Sequence, residues 1–177
     1  MLFRSPRLGP RLAAWRAEGG GRATVIGLLK HSVRLSGTSL HLPDPRLLPL
    51  SDLPTVGSFR PDDDDDALAR LLDLARRGHS GGAIRIEGCG PGAAAVAACG
   101  ERLARAIESA AWRDGKPLVL LLDTDAGKAL GALATRWGKI PVRLVAIDRL
   151  DLPDARFASL GAPRDGAVPV SFHGLRS

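Results

Sequence analysis

Residues 117–130 read PLVLLLDTDAGKAL. The unbroken aliphatic run Leu118–Leu122 suits a strand buried on both faces, and it is far too short to cross a bilayer. Asp123 and Asp125 stand at its carboxyl end. Gly127 and Lys128 then open a helix expected over 126–137. Crevices in open α/β sheets lie at strand carboxyl ends, so carboxylates placed there could hold Mg²⁺ or face a ligand. The plainer reading is that Asp123 or Thr124 caps the helix. The Gly-Lys pair lacks the Gly-x-x-x-x prefix of a phosphate-binding P-loop, so that reading fails.

The same alternation extends to both sides. AIRIE (83–87) and VRLVAID (142–148) read as further strands, 93–111 as a helix, and AVPVSF (167–172) as a last strand. Apolar strands alternating with helices define an α/β chain with a mainly parallel sheet and flanking helices. Between AIRIE and its helix lies GCGPGAAA (88–95), the context of a dinucleotide-binding turn. Its spacing is G-x-G-x-G, however, and Asp123 lies much further on than the usual ~20 residues. A plain glycine-rich turn is the simpler reading.

Upstream the pattern changes. RLGPRLAAWRAE (7–18) reads as a short helix, and ATVIGLL (23–29) and SVRLSG (32–37) as two strands, with TSLHL (38–42) a further candidate. Val33 and Leu35 alternate with Ser32, Arg34 and Ser36 at the period of a half-buried strand. Residues 43–61 hold five of the 13 prolines and read as a connector. Asp62–Asp66 precede ALARLLDLARR, an amphipathic helix with Leu68, Leu71, Leu72 and Ala75 on one face. Acids at its start and Arg76-Arg77 at its end suit the helix dipole. Five adjacent aspartates cannot converge on one ion, so capping and a solvated run explain them better than a metal.

Hydrophobic residues make up 45% of the 177, enough for a globular core, whereas aromatics are 4% with no Tyr. The core must therefore be built from Leu, Val, Ile and Ala. The net charge of +6 invites a nucleic-acid reading. The arginines are scattered, though, and carry no aromatic platform for bases to stack on, so a solvated basic surface is expected and nucleic acid is not. Cys89 and Cys99 are too few for a disulfide framework and lack metal-ligand spacing, which fits a reduced cytosolic chain. His31, His41, His79 and His173 are isolated in sequence, and no Ser-His-Asp or Cys-His pairing follows from their order.

Three stretches in order, RATVIGLLKHSVRLSGTSL (22–40), PLVLLLDTDAGKALG (117–131) and DARFASLGAPRDGAVPVSF (154–172), resemble the ethanolamine ammonia-lyase reactivating factor family, EutA. LPDPRLLPLSDLPTV (42–56) resembles its proline-rich connector, and the likeness runs from about Leu8 onward. The resemblance implies the C-terminal part of an actin-like ATPase fold, a strand hairpin region followed by the parallel sheet. It implies ethanolamine ammonia-lyase, an adenosylcobalamin enzyme, as partner, and ATP-driven exchange of damaged for intact cobalamin as activity. It also implies a cytoplasmic location, with association with a bacterial microcompartment left open, and no membrane contact.

The chain departs from the family's pattern. Such proteins are much longer and carry an Asp-x-Gly-Thr phosphate loop, a second Asp-containing phosphate loop and then a Ser-Gly-Gly adenosine segment, none of which occurs here in its place: the one Ser-Gly-Gly, at 80–82, stands far downstream of RLGPRLAAW. RLGPRLAAW (7–15) resembles the helix that follows the adenosine segment. Leu28-Leu29 replace a small glycine-containing turn, which puts nucleotide contact by that loop in doubt. ATP and Mg²⁺ are thus expected of a full-length parent, and neither cofactor binding nor catalysis of this stretch alone. The opening MLFRS matches translation of ATG-CTC-TTC-CGA-TCT, the end of a common sequencing adapter, so residues 1–5 are expected to be an artefact of a gene that continues upstream. The expected organisation is then 6–42 as a remnant of the ATPase domain, 43–61 as connector and 62–177 as a C-terminal α/β domain. Strands over 23–41 would be left with an unpaired edge. By resemblance the candidate contact residues are His31, Ser32, Ser36, Gly37, Asp123, Asp125, Gly127, Lys128 and the FASLG loop at 157–161. The reading that competes is a small stand-alone Rossmann-like nucleotide binder using the GCGPG turn.

Overall fold

The structure is a computed structural model that describes residues 34–35, 40–90, 92–112, 115–164 and 166–175. The helix expected over 7–18 and the strand at 23–29 lie outside the described residues, as do residues 1–5 and most of the 6–42 segment. The described elements are β1 (Arg34–Leu35), β2 (Leu50–Phe59), α1 (Asp65–Arg77), β3 (Gly82–Ile86), α2 (Ala93–Ser109), β4 (Pro117–Leu122), α3 (Gly127–Ala134), β5 (Arg143–Ile147), β6 (Ala155–Leu160) and β7 (Pro169–Leu175). They build one sheet in the order β1-β7-β6-β2-β3-β4-β5. β2, β3, β4 and β5 run parallel, in register from Gly82↔Leu118 and Leu118↔Leu144 onward. β6, β7 and β1 extend the sheet antiparallel from the other edge of β2. The α/β expectation with a parallel core and flanking helices therefore holds, and the antiparallel arm is an addition to it.

Alternate residues of the aliphatic strands enter two separate cores. Ile84, Ile86, Leu118, Leu120, Leu122 and Leu144 pack under the helices with Leu68, Leu72, Leu103 and Ile107. Ala83, Val119, Leu121, Val145 and Ile147 face the opposite side and meet Leu53, Ala158, Leu160, Val168, Val170 and Phe172. β5 and β7 lie far apart in strand order, yet their side chains share this second core. The sheet must therefore coil until the antiparallel arm covers the face that carries no helix, as strand twist allows. Burial on both faces explains why Leu118–Leu122 is an unbroken apolar run.

The stretch expected as a connector is corrected from Leu50 to Phe59, which folds as β2. Its first half pairs with β6 (Leu50↔Leu160, Leu53↔Ala158) and its second half with β3 (Thr55↔Ala83, Phe59↔Ile86), with register shifts in both ladders. Proline is tolerated in a strand at such irregular positions, and Pro54 sits where the strand changes partner. FASLG is likewise no loop. Phe157 to Leu160 lie within β6 and Gly161 follows it. Of TSLHL the described residues are 40–42, and His41 there bridges Ala146 in antiparallel fashion at the outer edge of β5. The helix expected over 126–137 stops at Ala134, because Arg136 and Trp137 adopt left-handed conformations. Arg136 turns back to donate to Glu101 and Glu108 of α2.

The aspartate run does what was expected. Asp64 is the N-cap of α1 and accepts from the Ala67 N–H at 2.5 Å, while Asp65 and Asp66 occupy the first turn. Arg102 of α2 ties this corner to the sheet. It donates to the Pro61 and Asp63 carbonyls and to Asp65, with its guanidinium 5.0 Å over the Phe59 ring.

His41 exchanges both backbone hydrogen bonds with Ala146, and its ring lies against Gly131 of α3. A Cβ at position 131 would sit well inside van der Waals contact of that ring. Gly131→Ala should destabilise the protein by about 1–3 kcal/mol, read as a lowered midpoint in urea unfolding. Burial pushes the His41 pKa below its ordinary 6.5. The unfolded chain then takes up the proton first, so stability should fall as pH drops below about 6.5. Unfolding of the parent and of His41→Gln at pH 7.5 and 5.5 checks this: the parent should lose stability on that step, and the variant should lose less.

Candidate functional site

Three strand ends build a crevice at the carboxyl edge of the parallel strands. β3 runs into Gly88–Gly92, where Gly88 and Gly90 have φ of 68° and 55°, a region glycine enters without steric cost. The Gly88 N–H donates to both oxygens of the Asp123 carboxylate, at 3.2 and 3.1 Å. Beneath the turn, the buried Cys89 meets the buried Cys99 of α2. Both are free thiols. The hydrogen bond with Cys89, and then burial, push the Cys99 thiol above its usual range. α2 begins at Gly92 without a side-chain cap.

After β4, Thr124 accepts backbone hydrogen bonds from Ala126 and Arg149 through its carbonyl. Asp125 forms an ion pair with Arg149. After β5, Asp148 is wholly buried, and its Oδ2 accepts the Gly127 N–H at 3.1 Å. The cap of α3 thus comes from the neighbouring strand. Asp123 and Thr124, the expected caps, do not serve it, because Asp123 is turned toward Gly88. Burial, and after it the Asp125 carboxylate, hold the Asp148 carboxyl above the usual carboxylate range, opposed by the hydrogen bond from Gly127. Asp148 Oδ1 and Thr124 Oγ1 are buried without a hydrogen-bond partner. Gly90, Gly92, Ala93, Val96, Thr124 and Asp125 line a cleft of about 540 Å³.

Of the candidates read from sequence, Asp123, Asp125 and Gly127 therefore meet at one edge. Lys128 follows Gly127 with an exposed side chain. His31, Ser32, Ser36 and Gly37 lie outside the described residues. Aspartates outnumber arginines in this crevice. Negative charge from Asp123 at the Gly88 N–H works against a pyrophosphate on the GCGPG turn, since that amide already has its acceptor.

Sequence order gave no hint of a second cluster. His173 of β7 meets Asp52 through Nε2 at 2.9 Å, and Ser159 of β6 lies 3.4 Å from the same nitrogen. Ser159 Oγ also accepts the Asp52 N–H at 2.9 Å. Phe157 stacks on the His173 ring. A nucleophilic triad needs the acid on one ring nitrogen and the hydroxyl on the other. Here one nitrogen serves both, and Nδ1 is buried without a partner. The group fastens the bulge of β2 to the antiparallel arm. Asp52 stands 107 positions before Ser159 and 121 before His173, which is why no local pattern announces the group.

A twisted α/β sheet with an acidic crevice at its strand ends is a general class, compatible with many ligands. A family model described as ethanolamine utilisation protein EutA matches residues 10–176. The chain belongs to this family, which ties it to ethanolamine utilisation. No curated protein and no solved structure matches it. Among the described residues no helix is long and apolar enough to cross a membrane, and no group of three or more His, Cys, Asp or Glu could hold a metal ion by itself.

If Asp123 fastens the glycine-rich turn, Asp123→Ala should speed hydrogen exchange at the Gly88 amide and cost about 1 kcal/mol of stability. Amide exchange followed by mass spectrometry measures the first effect, and urea unfolding the second.

Proposed function

We propose that this chain serves the reactivation of ethanolamine ammonia-lyase, contributing part of the surface that meets the lyase while damaged cobalamin is exchanged for intact cofactor. The observation that carries the reading is the family match over residues 10–176. The two-core α/β fold supports it as a region of a larger actin-like ATPase. ATP hydrolysis belongs in this reading to the full-length parent, because no Asp-x-Gly-Thr segment occurs in the sequence and its Ser-Gly-Gly, at 80–82, leads into β3 and not into the helix expected over 7–18. The partner is the lyase protein, in the cytoplasm, and ATP with Mg²⁺ acts in the parent.

The competing reading as a small stand-alone Rossmann-like nucleotide binder draws on the GCGPG turn. The Asp123 carboxylate on Gly88 speaks against it.

Sedimentation of the purified chain with purified ethanolamine ammonia-lyase, loaded with damaged cobalamin, tests the proposal. A saturable complex is expected, with no ATP turnover by the chain alone. Failure to bind the lyase in either its intact or its damaged-cofactor form would remove the reading.

A further inference from the structure

The turn that ends α3 holds a tryptophan in a backbone conformation that bulky residues seldom adopt. Arg136, Trp137 and Gly138 have φ of 47°, 56° and 82°. For a large side chain this conformation costs free energy and persists only where the surroundings enforce it. Here they do. The Trp137 N–H donates to the Ala132 carbonyl at 2.7 Å, and the Ile140 N–H to the Thr135 carbonyl at 3.0 Å. Glu101 and Glu108 hold the Arg136 guanidinium. Yet so much order buries little of the indole. Trp137 is 77% exposed, more than any other large apolar residue among the described ones, whereas Trp112 is buried.

Just beyond the turn, Ile140 and Pro141 wall two clefts. One, of about 430 Å³, also takes in His41, Pro43 and Trp137. The other, of about 360 Å³, takes in Ala111 and Trp112. The stretch RWGKIPVR (136–143) carries Arg136, Lys139 and Arg143 and no acid. The two glutamates neutralise Arg136. Lys139 and Arg143 are exposed, and neither forms an ion pair among the described residues. Asp44 is within electrostatic reach of Arg143 but is paired with Arg46.

We propose that the surface around Trp137 docks an acidic segment of a partner protein, one that carries an aromatic or aliphatic anchor. Charge complementarity selects this occupant. Lys139 and Arg143 call for carboxylates, and the clefts beside them call for an apolar side chain. A second copy meeting the same patch would bring this positive stretch against itself. Tryptophan is a frequent energetic anchor of interfaces, and a turn already fixed in the free protein loses little freedom on binding. The surface is argued from this chain alone and stands or falls apart from the lyase reading.

Display of random peptides on the immobilised full chain, with counter-selection against Trp137→Gly, tests the proposal. Enriched peptides should combine clustered Asp or Glu with an aromatic or aliphatic residue. Their binding should weaken as salt rises. Trp137→Gly and Lys139→Glu should each weaken it by about tenfold or more. Glycine enters the left-handed region without steric cost, so Trp137→Gly should melt no lower than the parent. Lys139→Glu, at an exposed position, carries the test should the glycine variant fail to fold. No enrichment, enriched peptides without acids, or peptides that bind both variants as well as the parent would overturn the proposal. A dimer of the parent chain in sedimentation, abolished by Trp137→Gly, would overturn it in favour of a second copy.

Discussion

Everything in the described fold depends on β2 belonging to two ladders at once. Its second half completes the parallel set that the helices cover. Its first half holds β6, and through β6 the arm that closes the second core. If β2 were only a tether, as its prolines suggest, the faces of Val119, Leu121, Val145 and Ile147 would lack a cover. The polar group of Asp52, Ser159 and His173 holds the bulge of β2 to the arm. Backbone pairing alone would specify that junction weakly, because its register slips between Leu50 and Leu53.

The parallel half of the fold was legible in the sequence for a physical reason. A strand buried on both faces must be largely apolar: Leu118–Leu122 holds no polar residue, and AIRIE and VRLVAID each admit one arginine, Arg85 and Arg143, at a position that is not buried. The start of α1 was equally plain, since its acids act within a few residues of the cap they form. β2 was missed because proline argues against strands on average, and only a tertiary partner can excuse it at a bend. β6 was missed because FASLG mixes small, polar and aromatic residues, and its role is set by neighbours distant in sequence. The end of α3 was overrun because Arg136 leaves the helix to reach Glu101 and Glu108, which local propensity does not register.

The crevice was half legible. Carboxylates following an apolar strand were expected at the carboxyl edge of the sheet, and the structure has Asp123, Asp125 and Gly127 at that edge. Their duties were not readable, because each is assigned by a different strand end: Asp123 by the turn after β3, Gly127 by Asp148 after β5, and Asp125 by Arg149. A sequence shows which side chains could cap a helix from its own flank. It does not show a cap delivered across a parallel ladder, where the donor and acceptor are 21 residues apart.

The same long reach bears on how the molecule is made. A ribosome delivers β2 well before the arm that β2 must hold, with 107 positions between Asp52 and Ser159. During that interval the helix-covered core can assemble from segments near one another in the chain, while the opposite face of β3, β4 and β5 is still wet and sticky. Late arrival of distant partners slows folding and lengthens exposure to other nascent chains. The crevice, built from β3, β4 and β5 alone, would be complete before the arm arrives. Asp123, Asp125 and Asp148 would then be in place while the second core still awaits its cover.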